Sequence, residues 1–156
     1  MEEKKNDILK LLEQGEVIQI RPHGYSMYPM LIPERDSVIL KRIESETLKR
    51  GDVVLYRRDE SILVLHRIWK VKPEGVFLVG DNQKVIEGPI RKEQIKGIML
   101  AFIRKGKKIS IKNMFYRMYI RAWLIPLPLR FRITKLGGKF LRLFRIRKID
   151  MDGEKS

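Results

Sequence analysis

The chain contains no cysteine, which excludes disulfide staples, a thiol nucleophile and any Cys-based zinc site. Histidine is nearly as scarce. With His23 and His66 as the only imidazoles, neither a metal centre nor another cofactor is expected. Long apolar runs are missing too. The longest, Ala122 to Leu129, is eight residues and holds two prolines, far short of the roughly 18 apolar residues of a membrane span. The N-terminal MEEKKNDILKLLEQGE is charged where an export signal would be apolar. These gaps point to a cytoplasmic protein with neither signal peptide nor transmembrane helix.

One further absence is local. The formal net charge of +15 suggests a nucleic-acid partner until it is mapped along the chain. Residues 1–103 hold eighteen Lys and Arg against sixteen Asp and Glu, whereas residues 104–149 hold fifteen Lys and Arg and no acid. The basic excess is a property of the tail.

Three textures follow one another. Ile8, Leu11 and Leu12 stand at helical spacing before Gly15, so residues 1–15 read as a short amphipathic helix. From Glu16 the chain breaks into short β-type runs, EVIQI, SVILKRI, DVVLYRR, ILVLHRIWKV, GVFLVG and IKGIMLAFI, separated by PERD, KRGD, RRDE and KPEG turns. Residues 16–110 are therefore expected to form a compact, mostly antiparallel β domain. Residues 111–156 turn helical and basic. NMFYRMYIRAWLI is broken by Pro126 and Pro128, and LRFRITKLGGKFLRLFRIRK then resumes with Ile133, Leu136, Phe140, Leu143 and Phe144 on one side.

The chemistry centres on HGYSMYPML, residues 23–31. A serine in a turn is ordinarily structural, and it becomes a nucleophile only beside a base that accepts its proton near neutral pH. His66, inside the apolar run LVLHRIW, is such a base, because burial disfavours the charged imidazole. A neutral His needs an acceptor on its second nitrogen, and Asp81 in LVGDNQ follows the next apolar run. His23, Asp36 and Asp52 read as turn or strand-end residues, with His23 also placed to line a groove beside Ser26. Met27 reads as an apolar plug.

Ser26-Met27-Tyr28-Pro29, Gly51-Asp52-Val53-Val54, His66-Arg67 and Gly80-Asp81-Asn82, in that order, resemble the type I signal peptidase family of serine proteases. The likeness is to the endoplasmic-reticulum and archaeal type, in which His stands in place of a Lys base. It covers roughly Val17 to Ile103 and implies a β-rich fold shared with LexA-type repressors, and endopeptidase action through an acyl-enzyme. It further implies Ser26 as nucleophile, His66 as general base and Asp81 as the group holding His66. The family often has a second functional acid after the Gly-Asp-Asn box, and Glu87 is the nearest here. Where some relatives have a Ser hydroxyl for the oxyanion, this chain has Gly24, so backbone donors, including the Ser26 N–H, must serve. An anchor normally preceding the nucleophile is replaced by the short charged helix.

Two other readings stay open. One is a catalytically silent module that keeps a peptide groove and uses the tail as a membrane or nucleic-acid adaptor. The other is a LexA-like self-cleaving protease. Against it, neither alanine, Ala101 nor Ala122, is followed by glycine, and no helix-turn-helix pattern precedes Ser26. For the tail, segregated apolar and basic faces with Tyr119, Trp123, Phe131 and Phe140 suit an anionic membrane surface contacted through residues 111–149. Packing on the β domain is the rival. Nucleic acid is the weakest partner, since no RNA-stacking module is present.

Overall fold

The computed structural model describes residues 2–43, 48–58 and 62–124. Helix α1 (Glu2–Glu13) leads into strands β1 (Ile18–Ile20), β2 (Asp36–Lys41), β3 (Val53–Arg58), β4 (Ile62–Lys72), β5 (Gly75–Val79) and β6 (Glu87–Ile90). A 3-10 turn (Lys92–Gln94), β7 (Ile95–Arg104), β8 (Lys107–Ser110) and helix α2 (Met114–Trp123) complete the order. All strands join one antiparallel sheet in the order β1-β2-β7-β3-β4-β5-β6, with β8 added to β7. The protein is mainly β.

Strand β3 explains the architecture. Its run Val53-Val54-Leu55-Tyr56 is buried throughout, as expected of a central strand covered on both faces. Val53 and Leu55 join Leu12, Met27, Met30, Leu31, Leu65 and Phe102 in one core cluster. Val54 and Tyr56 join Ile68, Val76, Leu78, Ile95 and Ile98 in a second. Helix α1 is held by Leu12, whose side chain lies 3.4 Å from where a Cβ on Gly97 of β7 would stand. Burying one leucine contributes roughly 1.5–3 kcal/mol. Ile8 packs partly beside it, while Leu11, expected on the same face, is exposed.

Two strands escape the sequence pattern. Strand β6 contains Gly88 and Pro89, and β8 is Lys-Lys-Ile-Ser; neither shows apolar alternation. Contacts group the described residues through Arg121 into one compact unit. Tyr116 of α2 is buried in the first core cluster, 5.9 Å ring to ring from Phe102. The start of the expected tail is therefore core. The helix expected over residues 129–148, with Phe131 and Phe140, lies outside the described residues.

Candidate active site

Ser26 sits in a loop fixed from both sides. Gly24 enters it at φ +80°, a left-handed conformation that favours glycine, and Tyr25 is exposed. Met27, 3% exposed, plugs the core as its apolar character suggests. The loop closes with Tyr28 N–H donating to the Tyr25 carbonyl (3.1 Å) and Leu31 N–H to that of Met27 (2.8 Å). The Ser26 carbonyl accepts the Asn82 N–H at 2.8 Å, and a Cβ on Gly80 would lie 2.7 Å from the same oxygen. The Gly-Asp-Asn segment thus abuts the serine loop through its backbone, and glycine at 80 permits the approach.

Ser26 also lines an apolar groove of about 610 Å³. One side carries Gln19, Ile20 and Arg21 from the end of β1, the other Leu63, Val64 and Leu65 of β4, with Leu55 of β3 between. Both sides are open strand edges. Strand β1 ends the sheet, and β4 pairs with β5 only from Arg67 onward. Exposed His23 borders the groove too. The β4 side stops at Leu65, one residue before His66.

His66 is 1% exposed and opposes Val54 on β3. Burial depresses its pKa from 6.5 to about 4; Glu87 and Asp81 pull upward and Arg58 downward, and burial prevails. The imidazole is accordingly neutral near pH 7. Its Nδ1 lies 3.3 Å from the Tyr56 hydroxyl and 3.6 Å from Glu87 Oε1. Glu87 accepts a hydrogen bond from Tyr56 Oη at 2.5 Å and is paired with Arg58 through both Nε and Nη2.

Asp81 differs from the expectation. Both its oxygens are engaged by Arg67, Nε to Oδ1 at 2.8 Å and Nη2 to Oδ2 at 2.7 Å. The reason is strand geometry, since adjacent residues point to opposite faces and Arg67, not His66, faces the Gly-Asp-Asn loop. Arg67 also donates to the Gly51 carbonyl (2.8 Å) and the Tyr116 hydroxyl (3.4 Å), tying three segments together. The carboxylate facing the histidine is that of Glu87 on β6. The sequence analysis does not single out Tyr56 or Arg58, and Arg67 enters it only as the second residue of the His66-Arg67 motif; the register Tyr56↔Val64, one step from His66 on the same face, is what brings Tyr56 in.

The remaining acids keep structural places. Asp36 is buried between Arg35 and Arg104 and also accepts the Ile32 N–H, while Asp52 accepts the Lys49 N–H in its turn. No protein-family model matches this chain, and no curated protein is significantly similar to it.

Proposed function

We propose that this protein is a serine endopeptidase in which Ser26 attacks the substrate carbonyl and His66 accepts the hydroxyl proton. The observation carrying the reading is a neutral, buried His66 with a carboxylate on its Nδ1 side, on the strand whose residues Leu63 to Leu65 line the Ser26 groove. No hydrogen bond joins Ser26 to His66 in the free protein, and the scheme requires the two side chains to meet when substrate is bound. Glu87, rather than Asp81, is then the acid of the centre. After attack, His66 returns the proton to the leaving amine and activates the water that releases the acyl group from Ser26. The Ser26 N–H is the oxyanion donor in this scheme. An extended peptide suits the groove, because two open strand edges offer main-chain hydrogen bonds and the apolar lining takes side chains.

A fluorophosphonate probe tests this. Wild type is expected to label at Ser26, and Ser26→Ala is expected to lose labelling and peptide cleavage with unchanged stability. Failure of the wild type to label or cleave a peptide library favours the silent adaptor. A shorter product on ageing, seen by mass spectrometry, favours self-cleavage.

The site of action we propose is an anionic membrane surface. Helix α2 exposes Met114, Phe115 (76%) and Met118 while burying Tyr116. Lys105, Lys107, Lys108, Lys112, Arg117 and Arg121 nearby in the chain are exposed, with no acid among residues 104–149. Apolar side chains amid exposed cations match the boundary of an anionic bilayer. No described helix is long and apolar enough to cross a membrane, so contact would be peripheral.

A further inference from the structure

We infer that Tyr56 is a positioning residue that fixes the tautomer of His66, with the proton on Nδ1 and Nε2 left bare. Its functional meaning rests on the reading of His66 as general base; the proton arrangement itself does not.

The argument is a count of donors and acceptors. Glu87, as the ion-pair partner of Arg58, is a carboxylate and can only accept. The 2.5 Å approach of Tyr56 Oη to Glu87 Oε2 therefore requires the phenol proton to lie between them. A phenol has one proton, so Tyr56 Oη can only accept from its other neighbours. Those are Arg58 Nη2 at 3.4 Å and His66 Nδ1 at 3.3 Å. Arg58 is always a donor. For His66 to be a partner at all, Nδ1 must carry hydrogen. The alternative, Nδ1 bare, would set a lone pair against Tyr56 Oη and, at 3.6 Å, against Glu87 Oε1.

The fold holds these atoms in place. Tyr56 opposes Val64 across the β3–β4 ladder, and His66 is the next β4 residue on that face, a diagonal pair within reach of long side chains. Both rings are buried, 5.9 Å apart and tilted by 47°. The charged or titratable groups bearing on His66 are Arg58 and Tyr56 on β3, Asp81 after β5 and Glu87 on β6. Burial leaves the ring neutral over most of the working pH range, since its pKa falls to about 4. A neutral imidazole with hydrogen on Nδ1 presents Nε2 as its single acceptor, the atom a hydroxyl nucleophile needs.

The test is long-range nitrogen–proton NMR on the uniformly labelled full chain at neutral pH. There are two imidazoles, and exposed His23 serves as the reference. The wild type should show His66 with Nδ1 protonated and Nε2 unprotonated. Tyr56→Phe should shift His66 toward mixed tautomers, with His23 unchanged and the fold intact by dispersion of the amide spectrum. Labelling of Ser26 by a fluorophosphonate should slow by about tenfold in that variant, a part of the 10²–10⁴ that general-base help supplies. A wild-type His66 protonated on Nε2 overturns the assignment without reference to any variant. So does a folded Tyr56→Phe with unaltered His66 signals. A wild type with the expected tautomer that never labels sinks the peptidase reading and leaves the role of Tyr56 standing.

Discussion

Arg67 and Asp81 form a bidentate ion pair in which neither side chain is exposed. Their mutual engagement makes Asp81 a structural anchor of the loop behind Ser26. Removing one partner of such a pair leaves a buried, unpaired charge, which typically costs about 3–5 kcal/mol. Asp81→Ala is therefore expected to lower stability by that order in urea unfolding. Glu87→Gln, on a half-buried side chain, should cost far less stability and more turnover per folded molecule. If Asp81→Ala unfolds at the wild-type urea midpoint, the anchor role fails.

Tracing why Asp81 and Glu87 exchange places shows what a single sequence can carry. The six apolar runs and their turns give six of the eight strands among the described residues, because alternating or continuous burial writes itself into residue type. Strand β6 has no such signature, so Glu87 reads as a loop acid when it is a cross-sheet neighbour of Tyr56 and His66. The adjacency of His66 and Arg67 in sequence hides that they face opposite sides of β4, and the acid nearest in the motif belongs to the second of them. The Met27 plug is legible as an apolar side chain in a Gly- and Pro-flanked turn, whereas the role given to Ser26 comes from the order of the motifs and stays a proposal. Tyr56 is not legible, because an aromatic in a buried run reads as core until the register is known.

The pH dependence of the centre follows from His66. Its folded pKa, about 4, lies below the ordinary 6.5. The proposed base is thus unprotonated through neutral pH, and the acid limb of kcat/KM is expected near pH 4 rather than 6.5. The same shift affects stability. Between about pH 6.5 and 4 the unfolded chain binds a proton that the folded one does not, so stability falls as pH drops through that window. His66→Gln should flatten this slope in urea midpoints measured at pH 7 and pH 5. An unchanged slope would show that His66 titrates in the fold as it does in the unfolded chain.

Asp36 gives a linkage of the same sign in a more acidic window. Burial pushes its carboxyl upward, but hydrogen bonds from Arg35, Arg104 and the Ile32 N–H outweigh it and bring the pKa down to about 2. Its folded pKa is below the unfolded value, so the stabilisation is complete above about pH 4 and is lost as pH falls toward 2. Asp36→Asn should be less stable than wild type at pH 6, and the gap should narrow at pH 2.5. A gap that is constant with pH would mean that Asp36 contributes through packing alone.

Gly80→Ala probes the contact behind the proposed nucleophile. The added Cβ would stand 2.7 Å from the Ser26 carbonyl oxygen, a backbone atom that cannot swing aside. The serine loop must move and the Asn82 N–H bond at 2.8 Å must lengthen. Labelling of Ser26 is expected to fall by at least tenfold, in line with the sensitivity of catalysis to displacements of about 1 Å. Gly24→Ala meets nothing within 4 Å and carries only the strain of φ +80°, which should appear as about 1 kcal/mol of lost stability. Equal labelling rates for Gly80→Ala and wild type would break the proposed link between the two loops.

The proposed membrane contact makes its own prediction, separable from catalysis. In that proposal exposed lysines and arginines supply the attraction and the exposed Met114, Phe115 and Met118 the insertion. The full chain should therefore sediment with phosphatidylglycerol vesicles and not with phosphatidylcholine vesicles. Salt should weaken binding, because exposed charges are screened beyond about 8 Å at physiological ionic strength. Phe115→Ser with Met118→Ser should lower binding at low salt while sparing stability, since both residues are exposed. Ending the chain at Lys112 is a poor substitute for these variants. It removes Tyr116, which packs on Phe102 and accepts from Arg67, and a lower urea midpoint is expected on that account alone. A chain ending at Leu124 keeps α2 and its exposed face, and comparing it with the full length measures what residues 125–156 add. Equal partition onto both vesicle types would defeat the electrostatic claim, and undiminished binding by the double serine variant would remove α2 from the contact.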